Sequence, residues 1–415
     1  MSADRFTDHI AIGVLKDMVP REVVDDVLTE TGRREKRSRL LPAHVMVYFT
    51  MAMCLFFDDD YEEVIRKLVG TLRDLRSWKD EWRIPSTSAI TQARARLGPE
   101  PLRELFARLA VPVAGRGTRG AWLAGRRLMA VDGVRLELPD TPENVERFKK
   151  FHAKAKETTY PKALIVGLVE CGSHAFVDAQ IGSCRESEKT LVKGILPTFE
   201  PGMLVLADAL YYGYDLWKQA ATTGADLLWK VGPKLRLPVL ERLPDGSYIS
   251  AVIDSNRVEG RYRDRAIDDL RAGRLSNLDQ HHMKVRVVEY EVTDREGDEL
   301  TCLITTLLDP EEISALELAA AYHERWEIEL GFAEMKTRLR GGDRVLRSRS
   351  PDMAEQEIWA ILLTHHAIRR LMCHAADEAD IDADQLSFTR TVRIIRRHAN
   401  SPAAFSPSAP GHGDP

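Results

Sequence analysis

The spacing of hydrophobic residues changes along the chain and divides it into regions. Through residue 112 the apolar positions recur at helical spacing, as at 61–75, where Val64, Leu68 and Leu72 share one face. Beyond residue 128 the apolar residues fall in short runs of strand length. We therefore predict an all-α N-terminal domain at residues 1–112, a Gly- and Arg-rich linker at 113–127 and an α/β domain after it.

The order of the runs predicts a mixed sheet. Runs at 128–132, 162–171 and 175–181 predict three antiparallel strands, and runs at 203–208 and 225–231 flank a helical stretch. Between 232 and 297 the pattern lapses into prolines and alternating stretches, which predict a β-rich insertion that leaves the sheet. A buried strand at 300–308 then returns to it. Residues 128–231 and 298–375 thus form the two parts of the α/β domain, and 376–415 form a C-terminal helix and a disordered tail.

A polar stripe stands out in the stretch 316–340, which lacks proline and predicts a helix. On a helical wheel Tyr322, Arg325, Glu329 and Lys336 share one face over roughly 21 Å. A phosphodiester site can use this chemistry, because a carboxylate holds a metal ion while cations and a phenol bind phosphate oxygens. The alternative is an amphipathic helix with an ion pair between Arg325 and Glu329, and the spacing alone leaves both open.

Two aspartates extend this chemistry. Asp132 and Asp208 each end an apolar run, where an acid is costly unless it binds something or meets solvent. With Glu329 they give three carboxylates that can converge on one point. Such oxygens suit Mg²⁺, with Mn²⁺ as a substitute, and two ions about 3.5–4 Å apart can activate a water and stabilise a leaving 3′ oxygen. For Asp132 the alternative is a turn aspartate before Gly133.

The N-terminal helices contain a further candidate DNA-binding element. Ser86 can cap a helix at 89–97, and a Gly-Pro turn separates it from another helix at 102–109. This order fits either a helix-turn-helix or an ordinary helical hairpin. In the first interpretation the DNA-facing residues are Thr91, Gln92, Arg94 and Arg96.

Composition limits the class of protein. The 415 residues are 44% hydrophobic and carry a net charge of −5, which suits a globular protein and argues against a uniformly basic nucleic-acid binder. Local basic runs nevertheless occur at 33–39 and 336–349. The five cysteines lack a C-x-x-C spacing and predict reduced thiols in a cytoplasm. The longest apolar run, at 45–57, is too short to span a membrane.

Other conspicuous residues have simpler explanations. The histidines lack a metal-ligand spacing, and Trp229 and Trp326 are predicted to be core residues. The histidines in question are His152, His281, His282, His365 and His366.

The pattern Tyr322-x2-Arg325-x3-Glu329-x6-Lys336 resembles the signature of the insertion sequence four family of bacterial DDE transposases. The resemblance covers about residues 8–375. It implies a ribonuclease H-like catalytic core with a β-strand insertion between Asp208 and Glu329. It further implies that Asp132, Asp208 and Glu329 are the catalytic, metal-binding acids.

The resemblance also implies a reaction and partners. A transposase of this family binds the inverted repeats of its element, cuts them by Mg²⁺-dependent hydrolysis and joins the 3′ ends to target DNA by transesterification. The expected partners are double-stranded DNA and a second copy of the chain in the synaptic complex, in a bacterial cytoplasm and on the nucleoid. Two alternatives stay open: a ribonuclease H-like nuclease that never joins strands, and an inactive, transposase-derived repressor.

Overall fold

In the computed structural model the regular elements in the described part of residues 13–112 are all helices, as the spacing predicts. The structure describes residues 13–35, 40–69, 84–153, 156–254, 260–272, 274, 281–294, 297–342 and 344–398. Residues 70–75 of the predicted helix, part of the basic run at 33–39 and the tail at 401–415 lie outside these residues. The helices are α1 (Gly13–Met18), α2 (Arg21–Glu30), α3 (Ala43–Leu55), α4 (Tyr61–Val69), α5 (Thr87–Leu97) and α6 (Glu100–Leu109).

Strands dominate the next part. The strands are β1 (Trp122–Leu123), β2 (Arg126–Glu137), β3 (His152–Ala153), β4 (Lys156–Glu157), β5 (Lys162–Glu170), β6 (Ala175–Ser183), β7 (Met203–Ala207), β8 (Asp226–Val231), β9 (Glu241–Arg242), β10 (Tyr248–Ile253), β11 (His282–Asp294) and β12 (Gly297–Thr305). The helices are α7 (Pro142–Phe148), α8 (Glu188–Leu191), α9 (Tyr214–Ala221), α10 (Gly260–Arg271), α11 (Ala315–His323), α12 (Trp326–Glu334), α13 (Pro351–Ala379) and α14 (Phe388–His398).

The main sheet is mixed, as the order of apolar runs predicts. Its strands lie in the order β6-β5-β2-β7-β8-β12-β11-β10-β9. β2 pairs antiparallel with β5 and parallel with β7, and β7 pairs parallel with β8. The segment 232–297 was expected to leave this sheet, and that expectation was wrong. Its strands β9, β10 and β11 extend the sheet beyond β12, because β11 pairs with β12 along its length, and the segment also contains helix α10.

Alternation along β2 gives each face of the sheet its own core. Leu128, Ala130 and Val134 belong to a large cluster with the N-terminal helices, α12 and α13. Met129 and Val131 belong to a second cluster, which includes α9 and the residues after α8. Since side chains of one strand alternate between faces, α12 lies on the first face while α8 and α9 lie on the second. The first core is continuous across residue 112, where the helical region predicted as a separate domain ends.

Helix α13 ties the helical region to the sheet, because it packs against α3, α5 and α6 as well as β6. Arg94 of α5 is fully buried at this junction. Its guanidinium donates to Gln356 Oε1 at 2.8 Å, to Ser348 Oγ at 3.0 Å and to the carbonyl of Met353 at 3.1 Å. The expectation that Arg94 faces DNA was therefore wrong. The guanidinium of an arginine has five N–H donors, so one side chain can bond several acceptors at a buried junction.

All five cysteines are free, in agreement with the predicted reduced thiols. Among the described helices, none combines the length and the apolar character that a membrane crossing requires.

The buried arginine leads to a prediction about stability. Arg94→Ala removes a charged donor from two buried acceptors, Gln356 Oε1 and Ser348 Oγ, and from two partly buried ones, and each buried acceptor loses a bond of about 1.5–3 kcal/mol. We expect the free energy of unfolding to fall by at least about 3 kcal/mol, measured by urea denaturation.

Arg96 provides the matched control, because it lies on the same helix and is exposed. Arg96→Ala is expected to change stability by less than about 0.5 kcal/mol. Equal losses in the two variants would contradict a structural role specific to Arg94.

Candidate active site

The two aspartates lie side by side on neighbouring parallel strands. Val131 of β2 is paired with Ala207, the last residue of β7, so Asp132 and Asp208 are the next residues on the two strands. Asp208 ends its strand as predicted. Asp132 does not, because β2 continues to Glu137 with β5 as its partner. The sheet therefore opens beside Asp132, where β7 stops and β2 goes on.

The predicted helix at 316–340 is interrupted. α11 ends at His323, α12 begins at Trp326, and a π-helix runs from Met335 to Leu339. The prediction of one continuous α-helix was therefore wrong. Such π turns are rare and often occur at functional sites. The helical wheel that placed the four signature residues on one face assumes a continuous α-helix. Because the helix is broken twice, the positions of these residues are described below by their contacts.

Arg325 joins two of the predicted acids. Its Nη1 lies 3.6 Å from Oδ2 of Asp132, and its Nη2 lies 3.3 Å from Oε1 of Glu329. The ion pair of the simple helix interpretation thus exists, but the same guanidinium also reaches β2. Burial lowers the pKa of Arg325, but the combined effect of Tyr322 and of the acids Asp132, Asp208 and Glu329 is larger and raises it. One cation therefore lies among three carboxylates.

Tyr322 contributes to the backbone geometry of the site. Its side chain is buried, and its hydroxyl donates to the carbonyl of Ala207 at 3.4 Å. That carbonyl directly precedes Asp208. The expectation that this phenol faces DNA is not met in this structure, because the hydroxyl has a protein partner at the end of β7.

Burial controls the charge of Asp132. The pKa of this carboxyl is raised to about 6, chiefly by burial, and the nearby carboxylates of Glu188 and Glu329 act in the same direction. The backbone N–H of Gly133 and the charge of Arg325 act in the opposite direction. The carboxyl is therefore ionised near neutral pH and becomes protonated as the pH falls through about 6.

Glu188 is a fourth carboxylate, which the sequence alone explains equally well as support for the site or as an acid at a helix N-terminus. A Cβ on Gly133 would lie only 2.6 Å from the carboxyl carbon of Glu188, so glycine leaves room for that side chain against β2. Its Oε2 accepts from the hydroxyl of Tyr211 at 2.9 Å, and its Oε1 lies 3.6 Å from Nη1 of Arg135. Its place over Gly133 depends on the fold, and no sequence spacing reveals it.

The donor chemistry of the three acids fits a divalent metal ion. Oδ1 of Asp132 accepts from the N–H of Gly133 at 2.7 Å, and Oδ1 of Asp208 accepts from the N–H of Ala209 at 2.5 Å. In each aspartate this bond orients the carboxyl group through Oδ1, and Oδ2 is the oxygen that could bind a metal ion. Hard oxygen ligands of this kind suit Mg²⁺ or Mn²⁺. Their ligand atoms do not all lie within 4.8 Å of one another in the described part of the chain.

The described residues do contain one group with that spacing, which the sequence analysis missed: His174, Glu327 and Asp384. Its members are far apart in the sequence, so no short motif predicts the group. Nδ1 of His174 contacts Nη2 of Arg369, which can only donate. The imidazole proton therefore lies on Nε2 and is donated to Glu327, so this group is arranged as a hydrogen-bonded network that joins α12 to α13.

Lys336 lies in the π-helix and is half-buried. Its pKa is lowered by burial and by the neighbouring charges of Arg340 and Lys162. Like charges held together in this way form a favourable place for an anion, since a bound anion relieves both their repulsion and their desolvation.

The remaining candidates lie at several places. Gln92 and Arg96 are exposed on α5, and Thr91 is partly exposed with its hydroxyl donating to the carbonyl of Thr87. Trp229 is buried as predicted. Trp326 is 59% exposed beside Arg325, so its predicted place in the core was wrong.

The buried histidines at 365 and 366 contact other groups of the protein. Oε2 of Glu334 lies 3.0 Å from Nε2 of His365 and accepts from Nε of Arg369 at 2.9 Å. His366 Nδ1 lies 2.9 Å from the carbonyl of Phe176. The side chain of His152 lies outside the described residues.

Two protein families match the chain. Residues 9–107 match the family described as Insertion element 4 transposase N-terminal, and residues 123–366 match the family described as Transposase DDE domain. The chain is 26% identical over 386 residues to the transposase InsG for insertion sequence element IS4 of Escherichia coli (strain K12), which covers 92% of this chain and 82% of that protein. It is 28% identical over 230 residues to the putative transposase InsZ of the same strain, covering 55% of this chain and 71% of that protein.

The fold is similar to that of the piggyBac transposase in a cryo-EM structure of its synaptic complex with hairpin DNA. The TM-score is 0.51 at 11% sequence identity, over 95% of this chain and 81% of that chain. At this identity the likeness concerns the fold alone.

The electrostatics of Asp132 give a prediction with a definite sign. Arg325→Gln removes a positive neighbour and should raise the pKa of Asp132, whereas Glu188→Gln removes a negative neighbour and should lower it. Divalent cations bind the ionised carboxylate, so the pH midpoint of Mn²⁺ binding should move up in the first variant and down in the second. Isothermal titration calorimetry with Mn²⁺ over a pH series measures both midpoints. Identical midpoints in wild type and both variants would show that these charges do not govern Asp132.

Proposed function

The chain belongs to the family of transposases with a DDE domain, and we propose that it acts on the ends of its own element. It binds the inverted repeats, cuts them by metal-dependent hydrolysis of a phosphodiester and joins the freed 3′ ends to target DNA by transesterification. The observation that carries this proposal is the position of Asp132 and Asp208 on adjacent parallel strands, with Glu329 joined to Asp132 through Arg325.

The proposed catalytic residues are Asp132, Asp208 and Glu329, which would hold the divalent metal. When bound, the metal polarises the phosphodiester and lowers the pKa of the attacking water. The proposed metal is Mg²⁺, with Mn²⁺ as a substitute, and the proposed number is two ions per site. The backbone bonds to the two aspartates orient their carboxyl groups, and the bond from Tyr322 holds the end of β7. Tyr322 is therefore proposed as a positioning residue.

The DNA strand would be held by cations around the acids. Lys336 and Arg340 offer positive charge where like charges already lie together, which favours a phosphate between them. Arg325 keeps one buried donor, Nε, without a partner among the described residues, and a phosphate oxygen is a suitable acceptor for it. Trp326 exposes its ring next to Arg325 and offers a surface on which a base can stack.

The finer organisation of the chain is also part of the proposal. The sheet from β6 to β8 is proposed as a ribonuclease H-like core at 128–231 and 298–375, with 232–297 as its insertion and 376–415 as a C-terminal region. The helices of 1–112 are proposed to bind DNA, with 113–127 as the linker. Exposed Gln92 and Arg96, together with Thr91, remain the candidates on α5, while buried Arg94 is removed from that set.

The proposed partners are double-stranded DNA at the element ends and at the target, and a second copy of the chain. The piggyBac relative by fold forms a synaptic complex with hairpin DNA, which supports a DNA partner and makes a hairpin intermediate one route to test. The bacterial relatives support action on the nucleoid in a bacterial cytoplasm.

Substitution of the acids tests the chemistry. Asp132→Asn, Asp208→Asn and Glu329→Gln keep side-chain size but remove the charge that holds the metal. We expect cleavage and joining to fall by several orders of magnitude, while DNA binding measured by anisotropy persists. Glu311→Gln, an exposed acid ahead of α11, serves as the control and should keep wild-type activity.

A strand-transfer assay with pre-cut ends separates this function from its closest alternative. Joined products in wild type support the transposase reaction, whereas hydrolysis without joining would support the nuclease. Cleavage near the wild-type rate in any one acid variant would remove that residue from the site.

A second test concerns Lys336. Lys336→Ala should weaken binding of the end DNA and flatten the slope of log affinity against log salt by about 0.9, because one phosphate contact is lost. Arg338 is exposed in the same turn and gives a control of equal charge. An identical effect of Arg338→Ala would mean that only the general charge of the segment matters.

A further inference from the structure

A second basic site lies on the other face of the sheet. A cavity of about 580 Å³ is formed between α8, the segment after β7 and helix α10. Its lining includes four cations and two phenols, and Asp215 is its acidic residue. The charged and aromatic lining residues that carry the argument are Lys189, Lys193, Lys234, Arg263, Tyr212 and Tyr214.

Most of this positive charge is not neutralised by protein carboxylates. Lys189 donates through Nζ to the backbone carbonyl of Tyr212, a partner without net charge. Within the described part of the chain, Lys193, Lys234 and Arg263 form no ion pair. The acids nearby are Asp215 and the buried Asp254, which lies close to Tyr214. Four cations against these two acids leave the cavity positive.

Unused donors point to the same ligand chemistry. Nε of Arg263 and the hydroxyl of Tyr214 are buried atoms without a hydrogen-bond partner among the described residues. Burying donors without acceptors costs free energy, which a ligand with several acceptor oxygens would recover. Guanidinium, ammonium and phenol groups together are suited to phosphate oxygens.

The cavity adjoins the three acids through two short connections. Lys189 directly follows Glu188, whose carboxylate lies against Gly133 next to Asp132. Tyr212 and Tyr214 follow Asp208 within six residues along the chain. Since β7 ends at Ala207 while β2 continues, this is the place where a DNA strand at the acids would pass from one face of the sheet to the other.

We propose that this cavity binds the phosphodiester backbone of a DNA strand as it leaves the three acids on the side away from α12. This inference rests on the proposed function, because it assumes that the acids act on DNA. Lys336 and Arg325 would then hold the strand on one face, and Lys193, Lys234 and Arg263 would hold it on the other. A cavity of this size accommodates a nucleotide unit of the backbone.

Charge reversal in the cavity provides the first measurement. The double variant Lys193→Glu, Lys234→Glu should bind a fluorescein-labelled DNA duplex more weakly than wild type. Its slope of log affinity against log salt should be flatter by up to about 1.8, which is about 0.9 for each lost phosphate contact. Lys218→Glu is the matched control, because Lys218 is exposed on neighbouring α9 and lies outside the cavity lining. Equal slopes for the double variant and wild type would overturn the proposal.

Lysine protection in the unaltered chain provides a second measurement that does not depend on how a variant folds. Acetylation by a limiting reagent, read by mass spectrometry, should be slowed by the duplex at Lys193 and Lys234 and not at Lys218. Inorganic phosphate at the same concentration of phosphate groups forms the second arm. Protection by free phosphate with none by DNA would overturn the proposal in favour of a small-anion site.

Wild-type strand transfer separates the two levels of inference. If wild type joins pre-cut ends while the lysines stay unprotected by DNA, the cavity proposal fails and the transposase reaction stands. If wild type shows neither cleavage nor joining but the duplex protects the lysines, the cavity binds DNA and the proposed reaction fails.

Discussion

The arrangement around the acids depends on one buried countercharge. Asp132 lies within a strand that is apolar on both sides, and its pKa is raised to about 6, with burial as the largest cause. The carboxylates of Glu188 and Glu329 act in the same direction. Arg325 lies between Asp132 and Glu329 and stabilises these negative charges. The same side chain links β2 to α12, so it both stabilises the charges of the acids and holds the helix against the sheet.

Contacts on the far side of α12 hold the helix in that position. Glu334 accepts hydrogen bonds from Arg369 of α13, and Glu327 binds His174 at the turn between β5 and β6. Buried, charged hydrogen bonds of this kind fix a helix about its axis more strictly than apolar packing does. α13 in turn meets α5 through Arg94 and Gln356. Polar contacts thus connect α12 to α13, and α13 to the N-terminal helices.

The distribution of charge explains how an overall acidic chain can bind nucleic acid. The net charge of −5 describes the whole molecule, whereas phosphate contacts depend on the few residues around the strand. On the face with α12 the cations are Arg325, Lys336 and Arg340. On the other face they line the cavity beside α8 and α10. Arg325 contacts Asp132 next to the point where β7 ends, and the cavity includes residues of the segment that follows β7.

The sequence determined the features that depend on local pattern. The helical first part, the strands and their mixed order followed from the spacing of apolar residues, and the signature around Glu329 led to the transposase family, which the family matches confirm. These features can be predicted locally because buried side chains recur about every 3.6 residues in a helix and every second residue in a strand. Residue roles within the site remain predictions, since a family match does not test them.

Tertiary structure decided what depends on distant residues. Asp132 lies inside β2 instead of at its end, because β5 continues as its partner after β7 stops. Arg94 is buried because α13 covers it, although its helix carries the exposed Arg96 two residues further on. The segment 232–297 joins the sheet because β12 offers a free edge to β11. Each outcome depends on which surface a distant element covers, and a local pattern of polar and apolar residues does not specify that.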